Sequence, residues 1–307
     1  MLIRITYILA CLIIGCGTEG GRGGGDRNLP NAGFGPYAWH EEDDSPRNLF
    51  PNDDTLEAPF AFPSNSTLAL FLSSCPVDEP CRIVKATSED GFRFTDPDVV
   101  ATHSDGLRDP YVIRQGTEVY LWALSADRSK VFVFQWTNSK FEFQNTILSA
   151  APGTSFSGLS VLDSPVGTRV YLRHHVEDPV WILVQLDASQ NRTEVDLCGT
   201  ECWSIPPPHD YELKTIQTAI GNRHLRGLGT ATNRSGESIL GFIGSLDGTN
   251  WTPYQFNPVL MTERRLGSAS FTQFAGRYFI YAKTGQRMPR IIMASSDRGQ
   301  PSTAPAP

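Results

Sequence analysis

Leu107–Ser125 reads LRDPYVIRQGTEVYLWALS, and its pattern is the one on which the rest of the chain is built. Arg108-Asp109-Pro110 makes a turn-like head, an apolar run follows, Gly116 sits in a short polar turn, and EVYLWALS runs back. β-Branched and aromatic runs of this length, joined across a glycine-containing turn, predict two antiparallel strands in a hairpin. Looser copies recur downstream and upstream. Most apolar runs are short, rich in Val, Ile, Phe, Tyr and Trp, and bounded by Gly, Asn, Asp, Ser or Pro. No long segment carries the 3.6-residue period of an amphipathic helix. Many regular short strands point to a sandwich, a barrel or a propeller.

Spacing chooses among these. Units begin at Glu57-Ala58-Pro59-Phe60, at the Arg-Asp-Pro turn, near Ser157-Gly158-Leu159, near His209 and near Leu266-Gly267. The starts lie roughly 50 residues apart, room for four strands each, which is the size of a propeller blade. The fifth unit shows three runs, so an N-terminal segment such as Arg47 to Pro51 is expected to add the fourth and leave no sheet edge open. The expected fold is therefore all-β, a five-bladed β-propeller of four-stranded antiparallel blades over residues 47–298.

Composition narrows the function classes. The chain has 307 residues, 40% of them hydrophobic, and a formal net charge of −7. Its charges are scattered, with no basic run, which excludes nucleic acid as a partner because phosphate binding needs clustered cations. No phosphate-cradling loop or dinucleotide fingerprint is present, and no cofactor is expected. SFSGLS lacks both the spacing and the helix of a serine nucleophile elbow.

The N-terminus has its own signal. Arg4 precedes an apolar core, Ile5 to Ile14, too short for the roughly 20 residues that span a bilayer but suited to a signal peptide over 1–15. Ile13-Ile14-Gly15-Cys16 resembles the lipobox of bacterial lipoproteins. The resemblance implies a diacylglyceryl group on Cys16, cleavage before it, and acylation (palmitate or a similar chain) of the new amine, an anchor of several chains. Gly17, where an Asp would favour retention at the inner membrane, points to the outer membrane, facing the periplasm or the surface. Residues 16–46 are Gly-rich and read as a tether, and 299–307 as a disordered tail.

Four further cysteines form two close pairs, Cys75 with Cys81 and Cys198 with Cys202. Four cysteines allow three connectivities; local pairing within turn-rich segments is preferred. The spacings are not CxxC and no histidine stands at zinc-finger distance, so no metal site is expected. His174-His175 ends a strand, where alternation turns one ring inward and the other outward.

Ser88–Thr95 (SEDGFRFT) and Ser245–Thr252 (SLDGTNWT) share an S-x-D-G-x-x-aromatic-T pattern. They resemble the Asp-box of sialidases, a structural hairpin, which makes Asp90 and Asp247 turn residues. Arg108-Asp109-Pro110 and Glu57-Ala58-Pro59-Phe60, each heading a strand, look like the active-site turns of five-bladed glycosidases. These are the arabinanase and xylosidase group (glycoside hydrolase family 43) and the invertase and levanase group (family 32). The resemblance implies Glu57 as general acid and Asp109 as a transition-state stabiliser. Physically, Arg108 beside Asp109 favours its ionised form, while Leu56, Ala58 and Phe60 are apolar neighbours that would raise the pKa of Glu57. Plain structural roles remain alternatives: a turn cap for Asp109, a solvated pre-strand acid for Glu57.

The set departs from both families. Each uses three carboxylates; the third and fifth units begin without an acid, and in the fourth Asp210 and Glu212 of HDYELK are candidates, Asp210 foremost, that belong to no family motif. Glu201 lies between Cys198 and Cys202 and is discounted. Trp203, beside Pro206-Pro207-Pro208, is a candidate to stack on a sugar. The resulting expectation is a membrane-anchored lipoprotein whose glycosidase-like propeller binds glycans or another extracytoplasmic partner without catalysis. The alternative is an active hydrolase on arabinan-, xylan- or fructan-type polysaccharide.

Overall fold

A computed structural model describes residues 40–41, 49–50, 55–64, 66–164, 167–177, 179–186, 192–195, 212–220, 225–232, 238–253, 260–262, 266–284 and 290–297. Among the described residues the regular structure is all strand. A short strand β1 (His40–Glu41) precedes a first sheet of β2 (Leu56–Ser64), β3 (Thr67–Ser74), β4 (Arg82–Ser88) and β5 (Asp98–Ala101). The second sheet holds β6 (Leu107–Gln115), β7 (Glu118–Ser125), β8 (Lys130–Thr137) and β9 (Lys140–Ser149). The third holds β10 (Ser155–Ser164), β11 (Gly167–His175), β12 (Val180–Gln185) and β13 (Arg192–Glu194). The fourth holds β14 (Glu212–Ile220), β15 (Leu225–Thr232) and β16 (Ser238–Ser245), with β17 (Thr252–Pro253) and β18 (Leu260–Thr262) both paired to β16. The last holds β19 (Leu266–Phe274), β20 (Arg277–Thr284) and β21 (Arg290–Asp297).

All pairings are antiparallel, and the sheets pack as the four-stranded blades of an all-β propeller. The first long strand of each sheet, β2, β6, β10, β14 and β19, touches its neighbours in cyclic order, with β19 returning to β2. Middle strands lie between neighbouring sheets, which is why TLALFLSS and EVYLWALS read as near-continuous apolar runs. Outer strands face water, and β9 is mostly exposed.

The last sheet is completed from the N-terminal side, though not by the expected segment. His40↔Ser295 and Glu41↔Ala294 pair β1 to β21, upstream of Arg47 to Pro51. Within that segment Leu49 and Phe50 are drawn instead to apolar packing against the first and last sheets, Phe50 beside Phe94 with ring centroids 6.2 Å apart. The paired strand region thus begins inside the stretch read as tether.

Side chains fill the space where the inner strands meet. Phe60 and Tyr111 pack with tilted rings, centroids 4.3 Å apart, and the buried Tyr111 hydroxyl donates to the carbonyl of Thr218, from the second sheet to the fourth, 2.8 Å away. Ser160 and Thr218 share a hydroxyl contact of 2.7 Å, and the Ala61 N–H donates to Ser270 Oγ at 2.8 Å. Each buried polar group here meets a partner on another sheet, as burial requires.

The two Asp-box hairpins are built alike. Asp90 Oδ1 accepts the N–H groups of Phe92 and Arg93, and Asp247 Oδ1 those of Thr249 and Asn250. Gly91 and Gly248 both take φ 81°, and a Cβ on Gly91 would lie 2.6 Å from the Phe279 ring, so only glycine fits. Each glycine carbonyl accepts a buried tyrosine hydroxyl from the preceding sheet: Tyr281 to Gly91 at 2.7 Å, Tyr171 to Gly248 at 3.0 Å. Trp251 packs edge-on against Tyr171. Trp122 is likewise buried, and Trp136 carries the Lys85 ammonium 4.7 Å from its ring centre.

Burial works against ionisation of Asp90 and Asp247, but the N–H and hydroxyl donors outweigh it and hold both below the ordinary carboxylate range. A depressed folded-state pKa contributes stability that is complete above the unfolded value, about 4, and is lost as pH falls below it. The double variant Asp90→Asn/Asp247→Asn should therefore flatten the acid limb of the melting-temperature profile below about pH 4. Parallel acid limbs in thermal melts of the two proteins would refute this role.

Candidate functional site

Each inner strand breaks register near its start: between Glu57 and Phe60, Arg108 and Tyr111, Ser157 and Ser160, Leu213 and Thr215, and Leu266 and Ala269. A bulge bends its strand and re-aims the side chains beside it. Ala58 and Asp109 take φ 51° and Gly158 φ 63°, so the break passes through the left-handed region in three of the five strands. For a non-glycine residue this conformation carries strain, more easily borne by Asp than by most. Glu57, Arg108 and Ser157 stand at equivalent positions, immediately before the break, at one end of the inner strands, the mouth.

There the side chains from three sheets meet. Arg108 Nη1 donates to Glu57 Oε1 at 2.7 Å, and Lys283 Nζ of β20 donates to Glu57 Oε2 at 2.8 Å. The Glu57 side chain is one-fifth exposed and both its oxygens accept charge-assisted hydrogen bonds, which are the strong kind. Leu56, Ala58 and Phe60 are buried, as its apolar surroundings suggested, but the carboxyl itself turns to two cations.

Asp109 lies next along the strand. Its N–H donates to the hydroxyl of Ser73 at 3.0 Å; Ser73 is itself the cross-strand partner of Glu57. Its Oδ2 lies 3.8 Å from Arg128 Nη2, an ion pair too long to be a hydrogen bond. Burial pushes the Asp109 carboxyl above its ordinary value; Arg128 opposes this, Glu57 adds to it, and Arg108 and Lys283 oppose it more weakly. Arg108 still favours the ionised form of Asp109, but weakly: its guanidinium reaches Glu57, and loss of water outweighs the attraction. The buried Arg108 Nε has no hydrogen-bond partner.

A disulfide braces this mouth from beneath. Cys75 and Cys81 are bonded, the local pairing preferred from sequence. The Cys75 N–H donates to the Thr55 carbonyl at 3.2 Å and the Cys81 carbonyl accepts from Leu107 N–H at 2.7 Å, so one short loop grips the heads of both β2 and β6. Cys75 Sγ is 3.5 Å from Glu57 Oε1.

On the third sheet Ser157 Oγ and His175 Nε2 lie 2.6 Å apart, while His174 Nε2 meets Thr154 Oγ1 at 3.1 Å. Both histidines are thus partnered to hydroxyls on opposite sides of their strand. In the remaining two inner strands the residues before the break are Leu213 and Leu266. The structure therefore brings Glu57, Arg108 and Asp109 together. Asp210, Trp203, Glu201, Cys198, Cys202 and Cys16 lie outside the described residues, and Glu212 is described only as part of strand β14. Lys283, Arg128 and Ser73 were not singled out from the sequence. Lys283 is the penultimate residue of an ordinary strand and Arg128 sits in a polar turn; only register across sheets selects them.

No family model matches the chain, and no curated protein matches it. Solved structures do. A β-xylosidase aligns at 12% identity and a TM-score of 0.58, over 84% of this chain and 98% of the other. An endo-arabinase from Bacteroides thetaiotaomicron aligns at 12% identity and a TM-score of 0.60, over 80% and 96%. A GH43 enzyme from Xanthomonas citri, solved with xylose, aligns at 12% identity and a TM-score of 0.59, over 81% and 89%. The fold is that of the glycoside-hydrolase propellers. At these identities the likeness is one of backbone.

Asp109 combines a strained backbone with a carboxyl that burial keeps reluctant to ionise, and both features oppose folding. Because its folded pKa is raised, wild type loses stability as pH climbs from about 4, the unfolded value, through the folded one. Asp109→Asn, uncharged and at ease at positive φ, should raise stability at neutral pH by about 1 kcal/mol and lose most of that advantage below about pH 4. Urea denaturation at both pH values tests this; a variant less stable than wild type at neutral pH would show that the charge is structurally needed.

Proposed function

We propose that the five sheets are the five blades of one closed ring, and that its Glu57–Arg108–Asp109 mouth binds carbohydrate without hydrolysing it. The closed ring accounts for the cyclic contacts of the inner strands and for the two Asp-box hairpins, each set against the sheet before it in that order. Carbohydrate as ligand follows from the neighbouring folds, which are named for action on xylosides and arabinan and in one case hold xylose.

The observation that carries the non-catalytic reading is the clamp on Glu57. Glycoside hydrolysis needs one protonated carboxyl to donate to the leaving oxygen and one carboxylate free to attack or to activate water. With Arg108 on one oxygen and Lys283 on the other, Glu57 is a charged acceptor at both, suited to neither task. Among the described side chains of the mouth, Asp109 is the remaining carboxyl. Its resistance to ionisation favours the second reading, hydrolysis with Asp109 as acid, the reverse of the roles implied by family resemblance.

Calorimetric titration with arabinan, xylan and fructan oligomers, run beside an aryl-glycoside turnover screen, separates the two. Binding without turnover is expected. Turnover that disappears in Glu57→Gln or in Asp109→Asn would overturn the binding reading and establish the hydrolase.

We propose further that Cys16 carries the lipid that holds the protein at the bacterial outer membrane, with residues 17–39 as the tether, on the strength of the lipobox pattern. Cys16→Ser should move the protein from the membrane to the soluble fraction of an expressing cell. Continued membrane association would count against acylation.

A further inference from the structure

We infer that the mouth selects an acidic glycan, with the carboxylate of a uronic-acid residue seated against Arg128. The inference rests on the reading of this mouth as a carbohydrate site and adds the class of sugar. Three cations, Arg108, Arg128 and Lys283, stand against two carboxylates, Glu57 and Asp109. The other four all lie close enough to act on the charge of Asp109. This surplus of positive charge sits on a chain whose formal net charge is −7, so the mouth runs against the sign of the molecule.

The cations are not equally engaged. Arg108 and Lys283 spend donors on Glu57 at 2.7 and 2.8 Å. Arg128 does not: its contact with Asp109, at 3.8 Å, is outside hydrogen-bond reach, and its side chain is 42% exposed. A guanidinium offers a planar fork of donors that matches a carboxylate in a bidentate way, which a neutral sugar hydroxyl cannot match in charge.

Arg128 is also held in place. It lies in the turn between β7 and β8 with φ 63°, a strained conformation that its surroundings enforce. Asp127 Oδ1 accepts from Ser125 Oγ and from Ser129 N–H, Ser125 Oγ accepts from Lys130 N–H, and the Arg128 carbonyl accepts from Phe156 N–H at 2.8 Å. The last bond hooks the turn to the next sheet, one residue before Ser157. A fixed turn with an exposed guanidinium over an under-neutralised mouth is a preorganised carboxylate receptor.

The test compares trigalacturonate with xylotriose on the full chain by calorimetry, at low and at about 0.15 M salt, because surface electrostatics weaken with screening. Trigalacturonate should bind at least about tenfold more tightly at low salt. Arg128→Gln should abolish that preference, and Arg114→Gln, an exposed cation at the far end of β6, should leave it. Xylotriose binding as tightly as trigalacturonate would overturn the acidic-glycan inference and leave the carbohydrate reading standing. Absence of binding by either would overturn both. A preference that survives Arg128→Gln, or equal binding of a sulfated trisaccharide, would show general attraction of anions and refute the carboxylate seat.

Discussion

The junction between the last sheet and the first is the constraint on which the ring depends, since a row of sheets leaves two faces and two edges exposed unless its ends meet. That junction is made at three depths. At the rim, the Tyr281 hydroxyl reaches the Gly91 carbonyl of an Asp-box hairpin. On the axis, Ser270 takes the Ala61 N–H. At the mouth, Lys283 donates to Glu57. The outer edge of the same last sheet is covered by β1, a strand from the other end of the chain. Closure is thus non-local in every part, and the residues that make it are 190, 209 and 226 positions apart.

The charge cluster follows from that geometry. Glu57 and Arg108 occupy equivalent places on adjoining inner strands, so they face each other because the bulges repeat, and Lys283 arrives only because the ring returns. An ion pair partly withdrawn from water adds little net stability but is costly to break, because losing one partner leaves the other charge desolvated and unpaired. The cost falls on Asp109, strained and partly desolvated beside it. Such local opposition to folding is common where a surface has a task other than stability.

The two family-like tripeptides come side by side, with surroundings of their own. Glu57 and Asp109 do meet at one mouth, which their positions at the head of equivalent strands implied. Their surroundings could not be read from neighbours in sequence: Arg108 is adjacent to Asp109 along the chain yet serves Glu57 across it. Backbone direction at the bulge decides which carboxyl a side chain reaches. The likeness to glycosidase propellers is correspondingly one of scaffold, at 12% identity to the β-xylosidase and the endo-arabinase alike.

Local pattern was enough for the strands, the hairpin turns, the two Asp-boxes and the Cys75–Cys81 loop, because each depends on residues a few positions apart: alternating burial, glycine at positive φ, short-range hydrogen bonds. Leu107–Ser125 was legible as a hairpin for that reason. Tertiary structure alone decided which segment completes the last sheet, that Tyr111 crosses the axis to Thr218, and that Lys283 and Arg128 join Glu57 and Asp109. These are contacts between elements far apart in sequence, selected by register and ring closure, and no run of neighbouring residues encodes them.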